Sequence, residues 1–211
     1  GYEEAAGQGF WAGVNAAVKI LGQEPMFLGR EQAYLGVLID DLITKGTEEP
    51  YRMFTSRAEY RLLLSEDNTA ERLLGVGHKI RLVSDVELEE FRGRLEKVDQ
   101  LEKHLKSTVI VPKQETQDKL DKLGTAKLLK PATLEELLRR TEINYTDLLE
   151  FDSSLELDPT VYEKIEIRSK YAGYIRRQNE LVEQSTRLDG FKIPKEFKYM
   201  GVVGLSNEER E

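Results

Sequence analysis

Three arginines and two adjacent aspartates are the residues of this 211-residue chain whose types and spacing most invite chemistry. Asp40 and Asp41 directly follow an uncharged run, residues 33–39. After a turn, Arg52, Arg57 and Arg61 stand among aromatic and apolar side chains in YRMFTSRAEYRLLL. Burying such groups without partners is costly, so residues 31–64 are the stretch least explained as core filling. If the middle of that segment is helical, Arg57 and Arg61 share a face one turn apart beside Tyr60, a clamp for an anionic group or substrate to which Arg52 can add. Pairing with Glu59, Glu66 or Asp67 is the structural alternative, and spacing does not choose between them. Asp40 and Asp41 can pair with the arginines, orient the turn or face solvent. No catalytic residue is assigned.

A second basic concentration lies in residues 164–177. There Ile167, Tyr171 and Ile175 approximate a packing stripe, while Lys170, Tyr174 and Arg177 align on a neighbouring face. Lys170, Arg176 and Arg177 would meet phosphates electrostatically and Tyr174 would offer a stacking surface. An ordinary charged helix is the alternative. His78 and His104 are the only histidines, and a metal site built on both would need a long-range contact that spacing does not supply, so no metal is expected.

Composition bounds these readings. The length suits one large or two small domains, and 39% hydrophobic residues can build a core. A formal charge of -8 argues against a uniformly basic surface but leaves room for a local basic patch. With no cysteine there is no disulfide, no thiolate nucleophile and no cysteine-based metal site. No apolar run approaches the roughly 20 residues that span a bilayer. A soluble, cytoplasmic protein with no membrane partner is expected.

The elements that must position these residues read as mostly helical. Ala6, Phe10, Ala17 and Leu21 approximate one face of an opening helix, whose Gly7, Gly9 and Gly13 suit a close neighbour. Residues 22–30 read as a connection and 32–42 as a short helix ending near Gly46. A helix over 70–74 is expected to stop at Gly75–Gly77. Ser84 with Glu87 forms a capping-box pattern opening a long charged helix to about Lys106, its apolar side formed by Val86, Phe91, Leu95, Val98, Leu101 and Leu105. Residues 107–116 suggest a brief extended connection, Thr133 caps another helix, residues 143–149 suggest a short one, and Pro159 restarts helical structure. In the tail, Phe191, Ile193, Phe197, Tyr199 and Met200 are expected to tie onto the preceding helices, and Ser206 to cap a further helix. The chain opens within what reads as a buried element, which suggests a piece of something longer.

The stretches GYEEAAGQGFWAGVNAAVK, REQAYLGVLIDDLITKGTEEPYRMFTSRAEYRLLLSEDN, YEKIEIRSKYAGYIRRQ and FKIPKEFKYMGVVGLS together resemble the C-terminal portion of the bacterial GidA/MnmG family of tRNA uridine 5-carboxymethylaminomethyl modification enzymes. The likeness runs through most of the chain and is strongest over residues 1–68. It implies a flavoprotein that uses FAD, with NADH as reductant, and works with a GTPase partner on C5 of the wobble uridine of tRNA, installing a carboxymethylaminomethyl or aminomethyl group. It also implies a homodimer. The family's glycine-rich fingerprint and catalytic cysteines fall outside these residues, so this polypeptide alone is expected to be inactive. Residues 1–21 resemble the family's final FAD-domain helix, which leaves Gly1, Tyr2, Glu3 and Glu4 as the flavin-adjacent segment. The expected fold class is an α/β FAD-binding domain remnant followed by a mostly α-helical C-terminal domain. Residues 1–68 would end the FAD-binding domain, 69–105 form connecting helices, and 106–211 a helical tRNA- and partner-binding domain. The alternative is a noncatalytic helical module for protein interaction.

Overall fold

The computed structural model describes residues 1–46, 48–189, 191–192, 194 and 196–197. The fold is mostly α-helical. Among the described residues seven helices, α1 (Tyr2–Ile20), α2 (Tyr34–Thr44), α3 (Thr69–Lys79), α4 (Asp85–Ser107), α5 (Gln114–Lys122), α6 (Leu134–Leu138) and α7 (Pro159–Asp189), are joined by connections that include 3-10 turns at Thr55–Arg57 and Tyr145–Glu150. Two short strands, β1 (Val109–Ile110) and β2 (Ala132–Thr133), pair antiparallel with Val109 opposite Thr133. Among the described residues 1–68 there are helices and turns and no strand.

The larger core lies in residues 98–165, where Leu105, Leu120, Leu134, Leu137, Leu138, Ile143, Tyr145, Leu148, Val161 and Ile165 are sealed from solvent. Tyr145 is the largest of these; its ring stacks on Tyr162 at 4.9 Å and its hydroxyl donates to the Glu156 carbonyl at 2.8 Å, so its polar end is satisfied where it is buried. A smaller cluster of Val37, Ala58 and Leu64 closes the N-terminal part. The two parts are strapped by α7. Gln178 accepts from the Leu63 amide at 3.1 Å, Lys164 reaches Glu71 at 2.5 Å, and Arg168 joins Glu71, Asp99 and Glu102 at 3.0–3.3 Å.

Local signals placed several boundaries well. Ser84 accepts from the Glu87 amide while the Glu87 carboxylate takes the Ser84 N–H, and Thr133 and Glu136 repeat the same reciprocal pair. Replacing Thr133 with Ala is expected to lower stability by about 1 kcal/mol, read as a shifted urea midpoint at unchanged slope.

Other boundaries moved. Helix α3 runs through Gly75 and Gly77 to Lys79, and the residue in left-handed geometry is Arg81, at φ 61°. The Arg81 amide bonds to the His78 carbonyl and the Leu82 amide to that of Gly77, the two bonds of a Schellman close. Gly77 instead makes room for Val83, whose Cγ2 would sit 2.8 Å from an added Cβ.

The face of α1 is also rotated from the expected one. Glu4 and Val18 are buried, whereas Ala6, Phe10, Ala17 and Leu21 are exposed. Close packing explains one of its three glycines: a Cβ on Gly7 would meet Leu35 and Leu38 of α2 at 3.2 and 3.3 Å, while Gly9 and Gly13 face open space. On α4, Leu88 is buried in place of Val86. The expectations for Ile193, Tyr199, Met200 and the Ser206 cap lie outside the described residues, and Phe191 is exposed.

Candidate functional site

The charged groups of residues 30–59 converge on one carboxylate. Asp41, on the inner face of α2, is 1% exposed. It accepts from Arg30 Nη1 at 2.7 Å, Lys45 Nζ at 2.8 Å and the Tyr51 hydroxyl at 2.8 Å, with Arg57 Nη1 at 3.7 Å. Arg30 also reaches Asp40 at 2.8 Å, Glu59 at 2.7 Å and the carbonyl of Arg57 at 3.0 Å. Burial by itself would raise the Asp41 carboxyl, but hydrogen bonds from Lys45, Arg30 and Tyr51 outweigh it and hold the group at about 2. Burial, reinforced by the hydrogen bond to Asp41, pushes the Tyr51 hydroxyl up to about 12. A carboxylate so firmly ionised is a poor proton carrier at neutral pH. Its chemistry is that of a clamp, fixing the loop that carries the arginines.

Those arginines are not equivalent. Residues 55–57 make a single 3-10 turn and 59–64 continue as turns, so Arg57 and Arg61 do not lie on one helical face. Arg57 is paired with Asp41 and lies 4.8 Å over the Tyr51 ring. Arg52 lies 5.6 Å over Phe54, and Arg61 is exposed. Neither Arg52 nor Arg61 forms an ion pair among the described residues. The adjoining cleft of about 530 Å³ is edged by Glu31, Asp40 and Glu59 as well as Arg30. Its carboxylates make it unsuited to an anion.

At the start of α1, Glu4 is buried. One oxygen accepts from the Met53 amide at 2.9 Å and the other lies 2.7 Å from the backbone nitrogen of Gly1. Gly1, Tyr2 and Glu3 are exposed beside it.

The third grouping is on α7. The buried stripe follows Val161, Ile165 and Ser169, with Ala172 and Ile175 half-buried, so Ile167 and Tyr171 point outward. Tyr171 and Tyr174 are 46% and 59% exposed, with ring centroids 6.5 Å apart. Lys170 is engaged by Glu166 at 2.7 Å, and Arg176 approaches Glu180 only to 3.9 Å. Arg177 has no ion pair among the described residues. A groove of about 610 Å³ runs beside this face, between α7 and the 3-10 turn at Tyr145–Glu150.

Sequence reasoning missed Arg30 and Tyr51 because their meeting with Asp41 is tertiary, and it missed Lys45 although that residue stands one helical turn after Asp41; Glu59, weighed as a partner for the loop arginines, pairs with Arg30 instead. Arg30 in particular sits in a connection 27 and 29 residues from Arg57 and Glu59. It also put Tyr171 in the core. Counting the helical register from Val161 and Ile165 would have placed that ring outside. Among the described residues no helix is long and apolar enough to cross a membrane, and no group of three or more His, Cys, Asp or Glu could hold a metal ion.

Known proteins share this architecture. Residues 85–179 match the family described as "tRNA modifying enzyme MnmG/GidA C-terminal helical domain". The tRNA uridine 5-carboxymethylaminomethyl modification enzyme MnmG of Bdellovibrio bacteriovorus is 50% identical over 211 residues, covering all of this chain and 33% of that protein. The enzyme of the same name from Clostridium novyi is 51% identical over 209 residues, covering 99% of this chain and 33% of that protein. A crystal structure of Aquifex aeolicus GidA superposes over the whole chain with a TM-score of 0.78 at 36% identity, covering 33% of its own length. The chain therefore spans about a third of the length of the curated relatives it matches. Its helical architecture and its likeness to these relatives along its full length together place the chain in the MnmG/GidA family, as a C-terminal portion.

Proposed function

We propose that the full-length protein carrying this chain is a cytoplasmic, homodimeric, FAD- and NADH-dependent enzyme. With its GTPase partner it installs a carboxymethylaminomethyl or aminomethyl group at C5 of the tRNA wobble uridine, and this chain alone does not complete that reaction. The observation that carries the reading is about 50% identity over the whole chain to proteins named for that modification. On the same reading residues 1–68 belong to the FAD-binding part, 69–105 connect it, and 106–211 face tRNA and partner.

The flavin segment is Gly1, Tyr2, Glu3 and Glu4. Two carboxylates at the first turn of α1 repel a pyrophosphate, so these residues fit the hydroxyl and N–H donors of the cofactor instead. Bound flavin would supply the redox chemistry; the role of Glu4 is to accept a hydrogen bond from it while anchoring the Met53 backbone. Within the arginine loop, Arg52 and Arg61 are the groups placed to meet an anionic substrate, and Arg57 acts by holding the loop in place.

For tRNA the candidate residues are Lys170, Tyr174, Arg176 and Arg177. The arginines are exposed and weakly paired, as phosphate contacts require. The test is tRNA affinity of the full-length protein across a salt series. K170A/R176A/R177A is expected to bind more weakly with a log–log salt slope shallower by roughly 1.5, most of it from the arginines, because Lys170 is already neutralised by Glu166. Unchanged affinity and slope in a folded variant would remove tRNA from this face and favour a protein-binding module.

A further inference from the structure

The exposed face of α7 carries a detail that phosphate attraction does not explain. Ile167, Tyr171 and Tyr174 are large side chains left open to solvent on a helix whose core-facing stripe lies elsewhere. At Gly173 the helix backbone is bare, with nothing within 4 Å of where a Cβ would stand. A shallow depression there is lined by Lys170, Gly173, Tyr174, Arg176 and Arg177. One flank is the larger groove, edged by Asn144, Thr146, Tyr162, Glu163 and Tyr171. Tyr162 is itself stacked on the buried Tyr145 with rings 7° from parallel, so this part of the groove wall is rigid and aromatic.

Aromatic rings, bare backbone and exposed, at most weakly paired guanidiniums in one strip suit a ligand with flat apolar faces and a phosphate backbone. A double helix hides its base faces and offers phosphates and 2′-hydroxyls, for which tyrosine rings are of little use. An unpaired strand exposes both. The carboxylates of the groove point the same way. Glu166 is spent on the Tyr145 amide and Lys170, but Glu163 accepts no hydrogen bond from the described residues and is exposed. It would repel a phosphate and accept from a base N–H.

We propose that residues 162–177 bind an unpaired RNA segment, with bases stacked on Tyr171 and Tyr174 and their phosphates carried by Arg176 and Arg177. This rests on the tRNA reading above and narrows it to single-stranded RNA at a named set of rings. The experiment compares binding of the full-length protein to a labelled RNA hairpin with an open loop and to a blunt duplex of the same stem, each over a salt series. Y171A/Y174A is expected to lose about tenfold or more on the hairpin at unchanged salt slope, and little on the duplex. Y171F/Y174F keeps the ring faces and is expected to bind the hairpin like the parent. R176A/R177A weakens both RNAs and flattens both slopes. Circular dichroism confirms that each variant is folded.

If the arginine pair leaves both affinities and slopes unchanged, the tRNA reading of this face fails and the stacking proposal fails with it. If the arginine effect holds but the tyrosine-to-alanine pair weakens both RNAs alike, or neither, the stacking proposal alone is overturned. It is overturned in the same way if the alanine pair spares RNA and weakens only binding of the GTPase partner.

Discussion

Asp41→Ala is expected to lower stability by about 3 kcal/mol, the lost stabilisation of its charge together with the hydrogen bonds to it that are left unmade. Asp41 is the meeting point of Arg30, Lys45, Tyr51 and Arg57, and removing it leaves the buried Tyr51 hydroxyl with only the weak Met53 Sδ acceptor at 3.5 Å. Asp41→Asn keeps the shape and an acceptor but not the charge, so it should lose less, on the order of 2 kcal/mol at neutral pH. The pH dependence follows from the direction of the shift. The folded carboxyl titrates at about 2, below its ordinary value, so its contribution is complete above the unfolded pKa and is lost as pH falls through about 2. Urea unfolding of parent and Asp41→Asn between neutral pH and about pH 2 should therefore give stability curves that converge on acidification. Parallel curves would mean that Asp41 stabilises the fold by packing and not by its charge. Arg57→Leu should cost under about 1 kcal/mol by comparison, since that guanidinium is half exposed and 3.7 Å from the carboxylate.

The second large effect is expected at Gly36. The connection before α2 folds back over the helix, with the Gly29 carbonyl accepting from Gln32 and Ala33. A methyl group on Gly36 would stand 2.6 Å from the Leu28 carbonyl oxygen and closer still to that of Gly29. Both obstacles are backbone, so no side-chain rotation relieves them. Gly36→Ala should cost about 3 kcal/mol and displace Arg30, which leaves this connection for Asp41. The readouts are a lower melting temperature and faster amide exchange over residues 28–45. Gly13→Ala, at an exposed helical position with open space, is the control and should be neutral or slightly stabilising.

These effects mark the line between what the sequence discloses and what only folding brings together. The Ser84–Glu87 and Thr133–Glu136 caps were readable because each pair is three residues apart and obeys a local rule. The end of α3 was misread for the opposite reason. Two glycines suggested a stop, while the left-handed position fell to Arg81, whose strain is offset by the two bonds of the Schellman close.

Helix faces were legible only where one side is clearly polar. On α4 the alternation of acids and bases exposes the wet side, and Val98, Leu101 and Leu105 are buried as expected. On α1 and α7 small and apolar residues occur all around the helix. Periodicity there admits more than one register, and tertiary packing chose the one that leaves Phe10, Tyr171 and Tyr174 outside. The aspartates and arginines of residues 40–61 stood out by type. Their common partner Arg30 did not, because no local rule links residues 27–29 positions apart.

The central claim, that this portion of an MnmG/GidA protein presents α7 to tRNA, is tested most directly by photo-cross-linking tRNA to the full-length protein and mapping the modified peptides. Cross-links within α7, at the peptides bearing Tyr171 and Tyr174, are the expected result. Cross-links confined to residues outside α7, in a protein that binds tRNA normally, would contradict it.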